Sequence, residues 1–163
     1  MSEVAKIGTY VLYGKTGVCL LKEQTVVSGH TYYVLIPVGD SRSSVFVPCD
    51  NPDLLARMRP LLTREEIDRI LTGVDDVKTT WVEDRNQRTQ LYRSIIGSGD
   101  RKELVRLLCC LMRKKQEKKA MGKRLSAMDD GFLQECVRLV QEEFSMVLGI
   151  AVHEVGPYIQ ERL

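Results

Sequence analysis

Residues 7–21 read IGTYVLYGKTGVCLL, in which two runs rich in β-branched, aromatic and aliphatic residues flank the turn-forming sequence GKTG at residues 14–17. Two further runs of this kind, YYVLI at residues 32–36 and SVFV at residues 44–47, are bounded by glycine, proline, serine or aspartate. About four or five short strands at roughly ten-residue spacing predict a small, strongly bent antiparallel sheet or barrel.

Helix start and stop signals replace the strand pattern after this segment. Thr63 and Glu66 have the form of a capping box that opens the first predicted helix, and Gly73 ends it. Thr80 opens a second predicted helix in the same way, and the Gly-Ser-Gly sequence at residues 97–99 ends that helix.

The same signals predict the remaining helices. Asp100 can cap a third helix, which carries one apolar stripe and fades in the polar stretch 114–124. Ser126 can cap a fourth helix, which Gly149 should end, and residues 152–162 form a short final helix.

The predicted fold class is α+β, with a small N-terminal antiparallel β module followed by an all-α C-terminal domain of about five helices. The predicted domains span residues 1–55 and 62–163, and the connection between them lies near residues 52–62. A β module of this size has a thin core.

Composition limits the class of protein. The 163-residue chain is 44% hydrophobic, too apolar for a wholly disordered protein, yet its uninterrupted apolar runs are too short to span a bilayer. Residues 1–10 lack the apolar region of a secretory signal. Five cysteines without a C-x-x-C pair fit a reduced compartment. We therefore expect a cytoplasmic protein rather than a secreted, membrane or disulfide-stabilised one.

The net charge of +2 conceals a strongly basic segment. Residues 85–124 contain thirteen basic and three acidic side chains, a local excess of ten positive charges. Pairing between neighbouring residues of a helix cannot neutralise that excess, so the segment favours a polyanion-binding surface over a merely solvated helix face. Phosphate contacts by lysine and arginine would make such binding salt-dependent and largely independent of sequence.

Patterns for catalysis or metal binding are sparse. His30 and His153 are the two histidines, and neither has a second ligand type at metal-like spacing. The GKTG sequence at residues 14–17 fits a turn between strands better than a phosphate-binding loop. We predict no enzyme activity, no cofactor, no metal site and no small-molecule substrate. An enzyme with a β-barrel cap is a remote alternative.

Several segments resemble those of CarD-type transcriptional regulators and of the RNA-polymerase-interacting domain of transcription-repair coupling factor. The opening IGTYVLYGKTGVC at residues 7–19 is similar to the family's G-D-x-V-V-Y-x-x-x-G-V-G. Further similar segments follow in the family's order: YYVL at 32–35, VFVPCDN at 45–51, MRPLLTREE at 58–66, SGD at 98–100 and RLS at 124–126.

This resemblance implies a two-part bacterial transcription factor. Its β module would be Tudor-like or SH3-like and would dock on the β subunit of RNA polymerase. Its helical domain would contact promoter DNA near the upstream edge of the melted region and stabilise the open complex. The protein would lie at the nucleoid through polymerase and would not contact membranes. The alternative is a polymerase- or protein-binding module without DNA binding, whose basic helices serve another partner.

The resemblance also places polymerase contacts in two segments of the β module. A small curved sheet has edge strands whose unpaired backbone groups can bind another chain. Some relatives have arginines in the two segments, whereas this chain has Gln24 or Thr25 and Phe46. Docking here would therefore depend on main-chain bonds and apolar contacts rather than on ion pairs. The alternative is that Val27 and Phe46 fill the core of the sheet. The candidate polymerase contacts are Gln24, Thr25, Val26, Val27, Val45 and Phe46.

Trp81 is the only tryptophan and a candidate DNA contact. CarD relatives use a tryptophan at the start of the corresponding helix as a wedge into the minor groove. Trp81 lies about one helical turn too early for that role, with Arg85 at the aligned position, so the alternative is a packing role. The candidate phosphate contacts on the second and third helices are Arg85, Arg88, Arg93, Lys102, Arg106, Arg113 and Lys114.

Overall fold

The structure, a computed structural model, describes residues 6–73 and 81–162. The chain divides into two compact units, Met1–Leu62 and Thr63–Leu163. The strands lie in the first unit and the long helices in the second, which confirms the predicted α+β class. Thr80, the predicted cap of the second helix, lies outside the described residues.

An antiparallel sheet forms the first unit, as the sequence predicts. A short 3-10 turn, Gly14–Thr16, joins its first two strands, and a four-residue helix, α1 (Pro52–Leu55), precedes its last strand. The strands are β1 (Tyr10–Tyr13), β2 (Gly17–Val27), β3 (His30–Pro37), β4 (Val45–Pro48) and β5 (Met58–Pro60), and their spatial order is β4-β3-β2-β1-β5.

The strand β5 has no clear sequence signal, because it is three residues long and contains an arginine and a proline. It pairs with β1, with Met58 opposite Tyr13 and Pro60 opposite Val11. A proline is tolerated there because β5 lies at the edge of the sheet. The sheet thus includes a segment beyond residue 55 that the sequence analysis placed in the connection between the domains.

One face of the sheet carries its main core cluster. Val11, Cys19, Leu21, Leu35 and Val47 are buried together there. These residues come from β1, β2, β3 and β4, so the cluster depends on the whole antiparallel arrangement rather than on one hairpin.

The described part of the second unit contains five helices, as predicted. The capping box of Thr63 and Glu66 is present, with the Glu66 N–H donating to the Thr63 hydroxyl at 3.1 Å and the Thr63 N–H donating to the Glu66 carboxylate at 2.8 Å. Gly149 ends the fourth of these helices with a left-handed φ of 67°. The helices are α2 (Arg64–Thr72), α3 (Arg85–Ser98), α4 (Arg101–Ala120), α5 (Ala127–Leu148) and α6 (Val152–Arg162).

One predicted helix start is wrong. The helix α3 begins at Arg85 rather than at Thr80, because Asp84 caps it by accepting the N–H of Asn86 at 3.0 Å. The helix α4 ends at Ala120, inside the polar stretch 114–124 in which the sequence predicts its end. Lysine, glutamine, glutamate and alanine are all good helix formers, which explains why the helix continues to Ala120.

The helical core combines aromatic and aliphatic side chains from several helices. Tyr92, Leu107, Leu111 and Phe144 are among the largest fully buried residues, so α3, α4 and α5 share one core. In residues 6–73 and 81–162, no helix has both the length and the apolar character needed to cross a membrane.

Candidate protein and nucleic-acid interfaces

The second half of β2 extends beyond the end of its pairing with β1. The strand β1 pairs with β2 as far as Leu20, whereas β3 pairs with β2 as far as Val27. Within the described residues, the stretch 23–27 therefore has a strand partner on one side only. Ser28 and Gly29, with φ angles of 52° and 81°, close the protruding hairpin in a two-residue turn.

One face of this region carries a strip of apolar and aromatic side chains. Strand pairing places Thr25 opposite Tyr32, and the Tyr32 ring meets the Phe46 ring edge-on at 6.0 Å between centroids. Val27 lies two residues beyond Thr25 and so shares its face. Val27 is 48% exposed and Phe46 is 50% exposed, so the alternative in which they fill the core is wrong. We call Thr25, Val27, Tyr32 and Phe46 the Phe46 strip.

The other predicted polymerase contacts lie away from this strip. The side-chain amide of Gln24 donates to Cys49 Sγ at 3.6 Å, and Val26 is exposed on the same face as Gln24. Val45 packs half-buried against the core cluster, because its partner across the strands, Leu35, is buried. Of the six predicted contacts, the structure therefore brings three together in the strip and places three away from it. The three in the strip are Thr25, Val27 and Phe46.

The strand β4, which carries Phe46, is the outermost strand on its side of the sheet. An edge strand presents backbone N–H and C=O groups that can pair with a strand of another chain. A partner that paired with β4 would also meet the exposed ring of Phe46. Main-chain pairing and apolar contact are thus available at one place.

Arg88 is buried rather than available to a phosphate. Its guanidinium forms a two-point ion pair with Asp129, at 3.0 Å from Nε to Oδ1 and 3.1 Å from Nη2 to Oδ2. Its third nitrogen, Nη1, donates to the carbonyl oxygens of Val82 and Glu83. Arg88 is only 9% exposed and all three nitrogens are bonded, so the DNA contact predicted for it does not fit the structure.

Arg101, another member of the basic segment, is buried in the same way. Its Nε and Nη2 each lie 2.9 Å from a carboxylate oxygen of Glu143, which is also buried. The two buried pairs join α3 and α4 to α5. They hold the helical unit together and add nothing to its surface charge.

Trp81 lies ahead of α3 and is half-buried. The guanidinium carbon of Arg88 lies 4.4 Å from the centre of its ring and Nζ of Lys114 lies 4.6 Å away, both within the range of cation–π attraction. The indole N–H donates to Glu83 Oε2 at 3.1 Å. These contacts favour the packing role over the wedge.

Three of the predicted phosphate contacts form a stripe along α4. Lys102, Arg106 and Arg113 are separated by four and seven residues, a spacing that places them on one helix face. Lys102 and Arg113 are exposed, while Arg106 is half-buried and lies 3.4 Å from the carboxylate of Glu103. We call these three cations the α4 stripe.

The remaining predicted phosphate contacts lie elsewhere. Arg85 and Arg93 are exposed on α3. Lys114 is half-buried, lies 3.7 Å from the Glu117 carboxylate and faces the Trp81 ring, so part of its charge is already engaged within the unit.

A second group of cations, which the sequence analysis did not single out, lines a cleft of about 710 Å³ between the end of α4 and the start of α5. The sequence carries a signal for it, since Lys115 and Lys119 are one helical turn apart and Gly122 is placed to reverse the chain after them. We call this site the turn cleft, and its cations are Lys115, Lys119, Lys123 and Arg124.

In the described parts of the chain, no group of three or more histidine, cysteine, aspartate or glutamate residues is placed to hold a metal ion. Burial raises the pKa of the Cys136 thiol to about 12. Burial also raises the pKa of the Cys109 thiol. Both thiols are therefore protonated and poorly nucleophilic at neutral pH.

The sheet of the first unit is similar to a known domain family. The family described as the CarD-like/TRCF RID domain matches residues 6–62, the range that contains β1 to β5. A search of curated proteins found no match to this chain. The helical unit lies outside the matched range. Residues 6–62 are therefore similar to an RNA-polymerase-interacting domain of the CarD-like/TRCF type, and we call the first unit, Met1–Leu62, the RID unit.

Proposed function

We propose that this protein is a transcription regulator whose RID unit binds the β subunit of RNA polymerase and whose helical unit contacts promoter DNA, which stabilises the open complex. The observation that carries the proposal is the contrast between the two units. The RID unit exposes an uncharged aromatic strip beside an edge strand, and the helical unit holds the strongly basic segment.

The polymerase contact is argued from the Phe46 strip and the edge strand β4. Removing an exposed aromatic side chain from water favours association, because its apolar surface leaves the solvent. None of the four strip residues is charged, so a partner would be recognised by shape, apolar contact and strand pairing.

The DNA contact is argued from the exposed cations of the helical unit. Arg88 is internal and Lys114 is partly engaged within the unit, so the predicted DNA contacts that remain are the α4 stripe together with Arg85 and Arg93. Contacts of this kind fix the position of a protein on DNA without reading its sequence. Binding that does not depend on DNA sequence suits a regulator that polymerase itself brings to the promoter.

Site-specific crosslinking tests the polymerase contact and its subunit. Phe46 is replaced by a photo-crosslinking benzoyl-phenylalanine, the full chain is mixed with purified bacterial RNA polymerase, and the crosslinked subunit is identified by mass spectrometry. The matched control places the same amino acid at Ile7, which is 52% exposed in the same unit. We expect crosslinking to the β subunit from position 46 alone. Crosslinking to a different subunit, or equal crosslinking from both positions, would overturn the assignment.

A salt titration tests the DNA contact. The full chain is titrated with several unrelated DNA duplexes at increasing salt, beside a double variant, Lys102→Gln with Arg113→Gln. We expect the variant to bind all duplexes more weakly and to lose about one unit of salt slope for each phosphate contact removed. A control with the same charge change, Lys6→Gln with Lys22→Gln, should bind as the wild type does. Absence of DNA binding by the wild type at low salt would instead support a polymerase-binding module that does not engage DNA.

A further inference from the structure

We propose that the turn cleft binds a phosphate group. The cleft has a volume of about 710 Å³, and its cations, Lys115, Lys119, Lys123 and Arg124, come from both sides of the α4–α5 turn. None of the four is among the DNA contacts proposed above. The helical unit would therefore have a concave anion site besides the convex α4 stripe.

The backbone of the turn holds these cations in place. Gly122 adopts a left-handed φ of 71° just after the end of α4. The Lys123 N–H donates to the Lys118 carbonyl at 2.7 Å, and the Gly122 N–H donates to the Lys119 carbonyl at 3.0 Å. This pair of bonds is the Schellman arrangement, which fixes the direction of the chain after a helix. As a result, Lys123 and Arg124 line the same cleft as Lys115 and Lys119.

The charge around the cleft is not balanced from within the protein. Among the residues that the structure describes, none of the four cations lies within ion-pairing distance of a carboxylate. Asp130 is the one acidic residue lining the cleft, and its carboxylate accepts a hydrogen bond from Gln134 at 2.8 Å. Elsewhere in the basic segment, Arg88, Arg101, Arg106 and Lys114 each have a carboxylate partner.

A simpler role would be compensation of the partial negative charge at the end of α4. That role explains Lys118 and Lys119, which lie in the last turn of the helix. It does not require Lys115, a turn earlier, or Lys123 and Arg124 beyond the helix end. Like charges held together repel one another, and a multiply charged anion in the cleft would remove that repulsion.

The charged side chains of the cleft are suited to a phosphate ligand. Lysine ammonium and arginine guanidinium groups donate charge-assisted hydrogen bonds, and a phosphate group has several oxygens that can accept from different sides at once. The phosphate could belong to a nucleic-acid backbone or to a free phosphorylated molecule. The first source rests on the DNA contact proposed above, and the second does not.

The test uses the full chain and two probes, sodium tripolyphosphate and a short DNA duplex, with binding of each measured by calorimetry. The variant is Lys119→Gln with Lys123→Gln, and the control is Lys6→Gln with Lys22→Gln, which changes the total charge equally. We expect the cleft variant to bind at least one probe about tenfold or more weakly than the wild type, since two charge-assisted hydrogen bonds are lost. The control should bind both probes as the wild type does.

The two probes separate the sources of the phosphate. Loss of DNA binding alone assigns the cleft to a nucleic-acid backbone, and loss of tripolyphosphate binding alone assigns it to a free phosphorylated molecule. If the wild type binds no DNA, the proposed DNA contact fails, while tripolyphosphate still decides the fate of the cleft. If the cleft variant matches the control with every probe that the wild type binds, or if the wild type binds neither probe, the cleft is not a phosphate site.

Discussion

Arg88 and Arg101 are the two members of the basic segment that the structure buries, each against a carboxylate of α5. Arg88 is four residues before Tyr92 and seven before Ile95, which are both buried, so it belongs to the apolar face of α3. That spacing is visible in the sequence. Its partner Asp129, forty-one residues away, cannot be predicted from the sequence, because no local pattern shows which carboxylate will meet a buried arginine.

The buried pair of Arg88 and Asp129 yields a stability prediction. Arg88→Met removes one partner and leaves the Asp129 carboxylate buried without its counter-ion, which costs about 3–5 kcal/mol of the free energy of unfolding. Urea denaturation measures the change. Arg93→Met, at an exposed position of the same helix, is the control and should change the free energy by less than about 0.5 kcal/mol. Equal effects of the two substitutions would show that the ion pair does not stabilise the unit.

Trp81 yields a second prediction, which separates packing from wedging. Its ring touches two cations and its N–H has an acceptor, so Trp81→Ala should lower the free energy of unfolding by about 1–3 kcal/mol. Trp81→Phe keeps a ring for the cations and should recover part of the loss. An unchanged free energy of unfolding together with a shortened lifetime of the open promoter complex would restore the wedge and remove the packing role.

At the scale of elements, the sequence predicts features that depend on neighbouring residues. It does not predict features that depend on pairing with a distant part of the chain. The ends of α2 and α5 follow from Thr63 with Glu66, from Ser126 and from Gly149, because a cap is made by residues within a few positions of one another. The strand β5 could not be predicted, since its only reason for being extended is its pairing with β1, which lies far earlier in the chain.

The same distinction between local and distant determinants applies to the candidate sites. The sequence places Phe46 in a predicted strand, but the face that Val27 occupies depends on the bulge in β2 between Leu21 and Glu23, which shifts the register with β3. The turn cleft likewise depends on the position at which α4 ends, and the sequence predicts that end only to within the stretch 114–124. Its four cations were visible as charge but not as a site.

The cap of α2 gives a prediction at this scale. Thr63→Ala removes the hydroxyl that accepts the Glu66 N–H and should cost about 1 kcal/mol in the free energy of unfolding. The Thr63 N–H bonded to the Glu66 carboxylate lowers the pKa of Glu66. Stabilisation by that carboxylate is therefore present above the pKa of Glu66 in the unfolded chain and is lost as the pH falls through the folded-state pKa. Urea denaturation of Glu66→Ala should show a larger loss at pH 7 than at pH 3, and an equal loss at both would contradict the cap.

At the scale of the whole molecule, the two units carry surfaces of different chemistry on one chain. The RID unit has the Phe46 strip, whose four residues are uncharged, and the helical unit has the α4 stripe and the turn cleft. Because the two proposed kinds of contact would come from different residues in different units, we expect that each can be removed without the other. This separability is the central claim of the account.

One measurement tests it most directly: the affinity of the full chain for purified RNA polymerase, without DNA, for the wild type and two variants. Phe46→Arg places a charge in the exposed strip and should weaken binding at least about thirtyfold, while Ile7→Arg should not. Lys102→Gln with Arg113→Gln changes only the α4 stripe and should bind polymerase as the wild type does. Wild-type affinity in Phe46→Arg, or an equal loss in the α4 variant, would contradict the account.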